Sequence, residues 1–228
     1  MTAVTCQHLV KTFQQGDELI YGLNQVDFVV PEGDFVCLSG PSGSGKTTLL
    51  NAIGGLDTPT SGTIDIDGQC IDHLSKTAMA DMRLNKIGFV FQAYNLIPVL
   101  SALENVEFVM QVQSVPTAQR RQAAMAILKE VGLEGMEHRR PAELSGGQQQ
   151  RVAVARAIVS KPALVLADEP TANLDSISAQ HLMSLFVALN QNHNITFIIS
   201  THDQRVMSYA KRLITMVDGK IETDEQLV

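Results

Sequence analysis

Apolar and polar positions change rhythm repeatedly along this chain, and each rhythm predicts a different element. From Val4 to Phe13, and again from Leu23 to Val30, the two classes alternate as on a half-buried strand. The polar stretch between them, 14–21, reads as a hairpin connection with Gly16-Asp17 at its tip, and Pro31-Glu32-Gly33 turns the chain after the second strand. The run Phe35-Val36-Cys37-Leu38 is instead continuously apolar, which predicts a strand buried on both faces. A glycine-rich segment and a helix over 48–54 follow. After the turn Asp57-Thr58-Pro59-Thr60-Ser61-Gly62, residues 63–68 alternate as an edge-type strand. A short helix with Ser75 as its cap and Met79 and Met82 on one face then leads to a second buried strand, Ile87-Gly88-Phe89-Val90-Phe91, ending at Gln92.

Between Tyr94 and Lys161 the period becomes helical. Ser101 is placed to cap a helix carrying Leu103, Val106, Val109 and Met110, and Thr117 to cap one carrying Ala124, Ile127, Leu128 and Val131. Gly132 and Gly135 break the chain before a third helix, 148–160. The buried-strand pattern resumes at Ala163-Leu164-Val165-Leu166-Ala167-Asp168. A helix over 176–190, a strand over 195–200, a short helix after Asp203 and a last strand near 213–217 complete the chain. Apolar strands alternating with helices indicate an α/β fold whose parallel sheet is covered on both faces. The expected organisation is one domain, with 1–92 and 162–228 forming the sheet-containing part and 93–161 a helical insertion.

Composition narrows the chemistry. The 228 residues are 45% hydrophobic, enough for a full core, and the net charge of −7 with no run of Lys or Arg gives no footprint for a nucleic-acid backbone. Three cysteines without metal-ligand spacing, Cys6, Cys37 and Cys70, read as reduced residues of a cytosolic protein. The N-terminus lacks the regions of a signal peptide, and no apolar stretch is long enough to span a bilayer, so any membrane association is expected to come by docking.

Gly40-Pro41-Ser42-Gly43-Ser44-Gly45-Lys46-Thr47-Thr48 fits G-x4-G-K-[ST] between a buried strand and a helix, the context a phosphate-binding loop requires. Its glycines let backbone N–H groups turn inward around phosphate oxygens, Lys46 reaches the β- and γ-phosphates, and the Thr47 hydroxyl is a ligand for Mg2+. Asp168-Glu169 end an apolar strand, where ligands of open α/β sheets sit. Asp168 is placed to hold Mg2+ and Glu169 to polarise an attacking water. Leu144-Ser145-Gly146-Gly147-Gln148 opens a helix with exposed amides, a second anion site in a chain with one phosphate loop. A head-to-tail dimer accounts for both, with the second site closing over the γ-phosphate held by the partner.

These three stretches together resemble the ATP-binding-cassette family over nearly the whole chain, Leu144 to Gln148 being that family's signature. The resemblance implies a RecA-like P-loop core with a mostly parallel sheet, an N-terminal antiparallel β subdomain and an inserted helical subdomain. It implies ATP and Mg2+ as ligands, and a homodimer of ATPase subunits docked on integral membrane permease subunits at the cytoplasmic side of the inner membrane. By the same resemblance Gln92 joins the Mg2+ site, His202 contacts the γ-phosphate, Asn173-Leu174-Asp175 crosses the dimer interface, and Ser145, Gly146, Gly147, Gln148 and Asp175 act on the partner's nucleotide. Phe13, with Tyr21 as the alternative, stacks on adenine. The loop 93–98 helps form the groove for the permease, unless Leu96 and Ile97 are core. Ala172 stands where many relatives have Gly or Ser, a small geometric departure.

Within the family, 54–62, 88–92 and 166–175 resemble the bacterial lipoprotein-release and macrolide-efflux group, and the lack of a regulatory extension after Val228 agrees with that group. The cell-division regulators and the soluble non-transport cassettes are the alternatives.

Overall fold

The computed structural model describes residues 1–227. Strands β1 (Thr2–Gln15) and β2 (Glu18–Pro31) form a long antiparallel hairpin whose tip is Gly16-Asp17. The stretch expected as a connection, 14–21, is therefore mostly strand. Polar outward-facing residues hid the pairing, because both arms run out into solvent there. With β4 (Ser61–Ile66) and the two-residue β5 (Gln69–Cys70) the hairpin builds a four-stranded sheet, order β2-β1-β4-β5, so β4 lies inside the sheet rather than at its edge.

The second sheet holds β3 (Phe35–Ser39), β6 (Ile87–Phe91), β7 (Leu164–Asp168), β8 (Thr196–Ser200), β9 (Arg212–Val217) and β10 (Lys220–Gln226), in the order β10-β9-β3-β8-β7-β6. Five of these strands are parallel and β10 pairs antiparallel with β9. Each strand divides its side chains by the period of two. Val36, Leu38, Leu164, Leu166 and Ile198 face a core shared with the antiparallel sheet and with Leu49 and Ile53 of α1 (Lys46–Ile53). Phe35, Cys37, Val165, Ala167, Phe197 and Ile199 face a second core with Phe186 and Leu189 of α6 (Ser176–His193). Two-sided burial is why these strands read as continuous apolar runs.

The insertion has a core of its own, in which Leu103 and Val106 of α3 (Ala102–Val112) meet Ala124 and Leu128 of α4 (Thr117–Glu130) and Val152 of α5 (Gly146–Ile158). Leu96 packs against this third core. Ser101 caps α3 in a capping box, its Oγ accepting from Glu104 N at 3.2 Å while Glu104 Oε2 accepts from Ser101 N at 2.8 Å. Thr117 does not cap α4. Pro116 occupies that position with no side-chain bond, since its fixed φ of −55° already sets the chain for a helical turn starting at Thr117. Ser75 does cap α2 (Lys76–Lys86), accepting from Ala78 N.

The parallel strands run in one direction, so β3, β6, β7 and β8 deliver four loops to one edge of the sheet. Those loops carry the phosphate-loop pattern, Gln92, Asp168-Glu169 and His202.

Candidate functional site

Gly45, at φ +102°, precedes α1, which has no side-chain cap. A Cβ there would collide with the Gly22 carbonyl, so only glycine fits. The uncapped first turn leaves its N–H groups to an incoming anion. Lys46 is buried, and its Nζ donates to the carbonyls of Gly40 (2.8 Å) and Pro41 (2.9 Å). The ammonium is thereby held across the mouth of the loop, over the place a phosphate would enter.

Ser42, Gly43, Lys46, Thr47, Gln92, Glu169 and His202 share one cleft of about 490 Å³. Thr47 Oγ1 donates to Asp168 Oδ1 at 3.0 Å, and Ser200 Oγ donates to the same oxygen. Glu169 sits at φ +45°, a left-handed value rare for a non-glycine residue. Its N–H donates to the Ser200 carbonyl and hydroxyl, both at 3.1 Å, which holds it there. The Glu169 carboxylate reaches His202, Oε1 to Nδ1 at 2.9 Å. Ser200 thus fixes both acids, a role the sequence reading missed; the available signal was a hydroxyl ending the buried strand beside the acids' own.

The oxygen donors of Thr47, Asp168 and Gln92 suit a hard cation. Among the described residues no three His, Cys, Asp or Glu side chains cluster to hold a metal by themselves. Mg2+ keeps waters and substrate phosphates as most of its ligands, so a few protein oxygens are enough to hold it.

None of Ser145, Gly146, Gly147, Gln148 or Asp175 lines this cleft. Ser145 caps α5 in a capping box with Gln148, Oγ accepting from Gln148 N at 3.3 Å and Gln148 Oε1 accepting from Ser145 N at 2.9 Å. Asp175 caps α6, accepting from Ile177 N and Ser178 N, each at 3.0 Å. The Ser178 hydroxyl, which donates to Asp175 at 2.6 Å, holds that carboxyl below its ordinary range. Asn173 Nδ2 donates to the Gln92 carbonyl at 3.0 Å, joining this surface to the cleft. Arg156 donates to the carbonyls of Asn95 (2.6 Å) and Tyr94 (2.9 Å), and burial pulls its guanidinium pKa down. Sequence reading missed Arg156 as well, although a guanidinium set between Ala155 and Ala157 in the apolar half of α5 needs such partners.

The two aromatic candidates point to opposite sides of the hairpin. Phe13 pairs with Ile20 and Tyr21 with Thr12, and neighbouring residues on a strand alternate faces. A Cβ on Gly22 would stand 2.5 Å from the Phe13 ring and 3.2 Å from Thr48, so Phe13 is on the phosphate-loop side. Both rings are partly exposed, Phe13 at 43% and Tyr21 at 48%.

A family model described as "ABC transporter" matches residues 23–172. The chain belongs to this family. It is 43% identical over 228 residues to an uncharacterized ABC transporter ATP-binding protein, MJ0796, of Methanocaldococcus jannaschii, covering 98% of this chain and 97% of that one. It is 46% identical over 214 residues, 94% of this chain, to the macrolide export ATP-binding/permease protein MacB of Escherichia coli, and spans only 33% of that protein's length. A dimeric structure of MJ0796 in a post-hydrolysis state bound to ADP and Pi superposes with a TM-score of 0.91 at 43% identity, covering 99% of both chains. CbiO1 of Clostridium perfringens, part of the ABC transporter complex cbiONQ, gives 0.88 at 28% identity, covering 99% of this chain and 88% of that one. The expected ABC cassette fold, with its parallel core, antiparallel subdomain and helical part, is the one observed, and the chain is an ABC-type ATPase. Among the described residues no helix is long and apolar enough to cross a membrane.

Proposed function

We propose that this ATPase energises a membrane transporter or mechanotransmission complex of the lipoprotein-release or efflux kind, through ATP-driven head-to-tail dimerisation. The observation that carries it is the division of the phosphate-binding groups between two surfaces. The cleft holds Lys46, Thr47, Gln92, Glu169 and His202, while the capped start of α5 and Asp175 lie outside it. Two copies facing each other bring each α5 start over the other's cleft. The dimeric MJ0796 structure with ADP and Pi, and the 46% identity to the MacB cassette, support this reading.

In the closed site the loop amides and Lys46 bind the β- and γ-phosphates, and Ser145, Gly146 and Gly147 of the second copy cover the γ-phosphate. Glu169 orients the attacking water and takes its proton, and His202 turns from Glu169 to the γ-phosphate. Thr47, Asp168 and Gln92 would hold Mg2+, whose chemistry there is to neutralise charge on the phosphate oxygens. Phe13 stacks on the adenine.

Docking on the membrane falls to an apolar groove of about 410 Å³ between core and insertion, lined by Leu56, Leu84, Phe89, Phe91 and Val109, with Arg156 in its wall. Exposed Phe108 and Val112 continue α3 alongside. The loop 93–98 reaches this groove through the bonds from Arg156. An integral membrane subunit is the proposed occupant, which makes the ATPase peripheral to the membrane.

The deciding experiment is light scattering on Glu169→Gln, with and without ATP and Mg2+. A monomer that becomes a dimer only with ATP supports the closed-dimer mechanism. A protein that binds ATP and stays monomeric overturns it for the isolated chain.

A further inference from the structure

The β1–β2 hairpin is fastened to the loop after α1 by a chain of bonds around one cation. Thr60 N donates to the Val10 carbonyl at 2.7 Å, and Thr12 N donates to Thr60 Oγ1 at 3.1 Å. Between them, Lys11 Nζ donates to Asp57 Oδ1 at 2.6 Å and to the Thr58 carbonyl at 2.8 Å. The Lys11 side chain is only 15% exposed, unusual for a lysine. Its ammonium also stands over the Phe13 ring, 5.4 Å from the centroid. One face of the ring is thus covered by a fixed cation, the Cδ2–Cε2 edge packs on Gly22 beside Thr48, and Phe13 still keeps 43% of its surface exposed.

We propose that Lys11 is a positioning residue for the purine: held by Asp57 and Thr58, it backs the Phe13 ring and presents the opposite face to the base. This rests on the reading of Phe13 as the stacking residue. Two physical effects act together. A cation over one face draws π density toward itself, which makes the other face less negative and a better partner for an electron-rich purine. The anchored ammonium also restricts ring motion, so less freedom is lost when the base arrives. Because Asp57 and Thr58 directly follow the phosphate-loop helix, the support for the base and the grip on the phosphates share one stretch of chain.

The test compares Lys11→Met, Lys11→Arg and Phe13→Ala in the full chain, reading the KM for ATP and the inhibition constant of inorganic tripolyphosphate with Mg2+. Asp57 is 38% exposed, so water can solvate it once the ammonium is gone. Lys11→Met is expected to raise the KM for ATP about two- to fivefold, an effect on KM rather than kcat, with the tripolyphosphate constant unmoved. Phe13→Ala should raise the KM for ATP about tenfold or more, and Lys11→Met should add nothing in that background. Lys11→Arg should restore most of the loss. If Phe13→Ala raises the KM and Lys11→Met does not, the role of Lys11 is overturned while stacking on Phe13 stands. An unmoved KM in Phe13→Ala overturns both. Equal loss of ATP and tripolyphosphate binding in Lys11→Met marks a merely structural lysine and overturns the proposal.

Discussion

The starts of α1 and α5 are both glycine-flanked and both face phosphate in the proposed dimer, yet they are built in opposite ways. Gly45 leaves α1 without a side-chain cap, and its N–H groups wait for a ligand. At α5, Ser145 and Gln148 cap each other in advance of any ligand. One site is completed by its ligand and the other is complete without it. The difference follows from hydrogen-bond inventory. A serine hydroxyl that accepts from Gln148 N still has its own proton to give, so Ser145 can cap its helix and donate to a phosphate at once. The helix that binds nucleotide first must be open, whereas the helix that closes on an already bound nucleotide needs only a rigid tip with a few donors left.

Substitutions at the two starts sharpen this contrast. Lys46→Ala should have the largest effect, lowering ATPase activity at least ~100-fold, because the open site loses the cation fixed over the loop. Ser145→Asp comes next and separates the helix's stability from its function. Aspartate caps as well as serine, so the melting temperature should stay within about 2 °C, while the like charge facing the γ-phosphate should abolish the ATP-dependent dimer of Glu169→Gln. A large fall in melting temperature would show that α5 needs its serine for more than the cap. Gly45→Ala should destabilise the fold by ~2 kcal/mol in urea unfolding, since φ +102° and the Gly22 carbonyl both oppose a side chain. Ser145→Ala should cost about 1 kcal/mol by the same measurement, the ordinary value of a lost cap. Thr117→Ala, at a helix with no side-chain cap, should change stability by less than about 0.5 kcal/mol.

What could be read from the sequence tracks how each residue is constrained. The core strands were legible because two-sided burial forbids polar residues, and the phosphate loop because its glycines have no substitutes. The β10 strand was not, since Lys220–Gln226 is nearly all exposed and its polar residues carry no period of burial. Which side of the hairpin Phe13 and Tyr21 each face depended on register. Lys11 pairs with Leu23 and Thr12 with Tyr21, so Gly22 is bulged out of the ladder, and no local pattern announces a bulge of one residue. The contacts of Ser200, Arg156 and Lys11 span 31, 61 and 46 residues of sequence, visible only once the strands have brought them together.

The 2.9 Å contact between Glu169 and His202 has a bearing on the general base. In the single subunit His202 occupies one oxygen of the Glu169 carboxylate, and the other oxygen keeps its lone pairs for a water. In the proposed dimer His202 has to leave this bond to reach the γ-phosphate, so dimer closure would also free the second lobe of the general base.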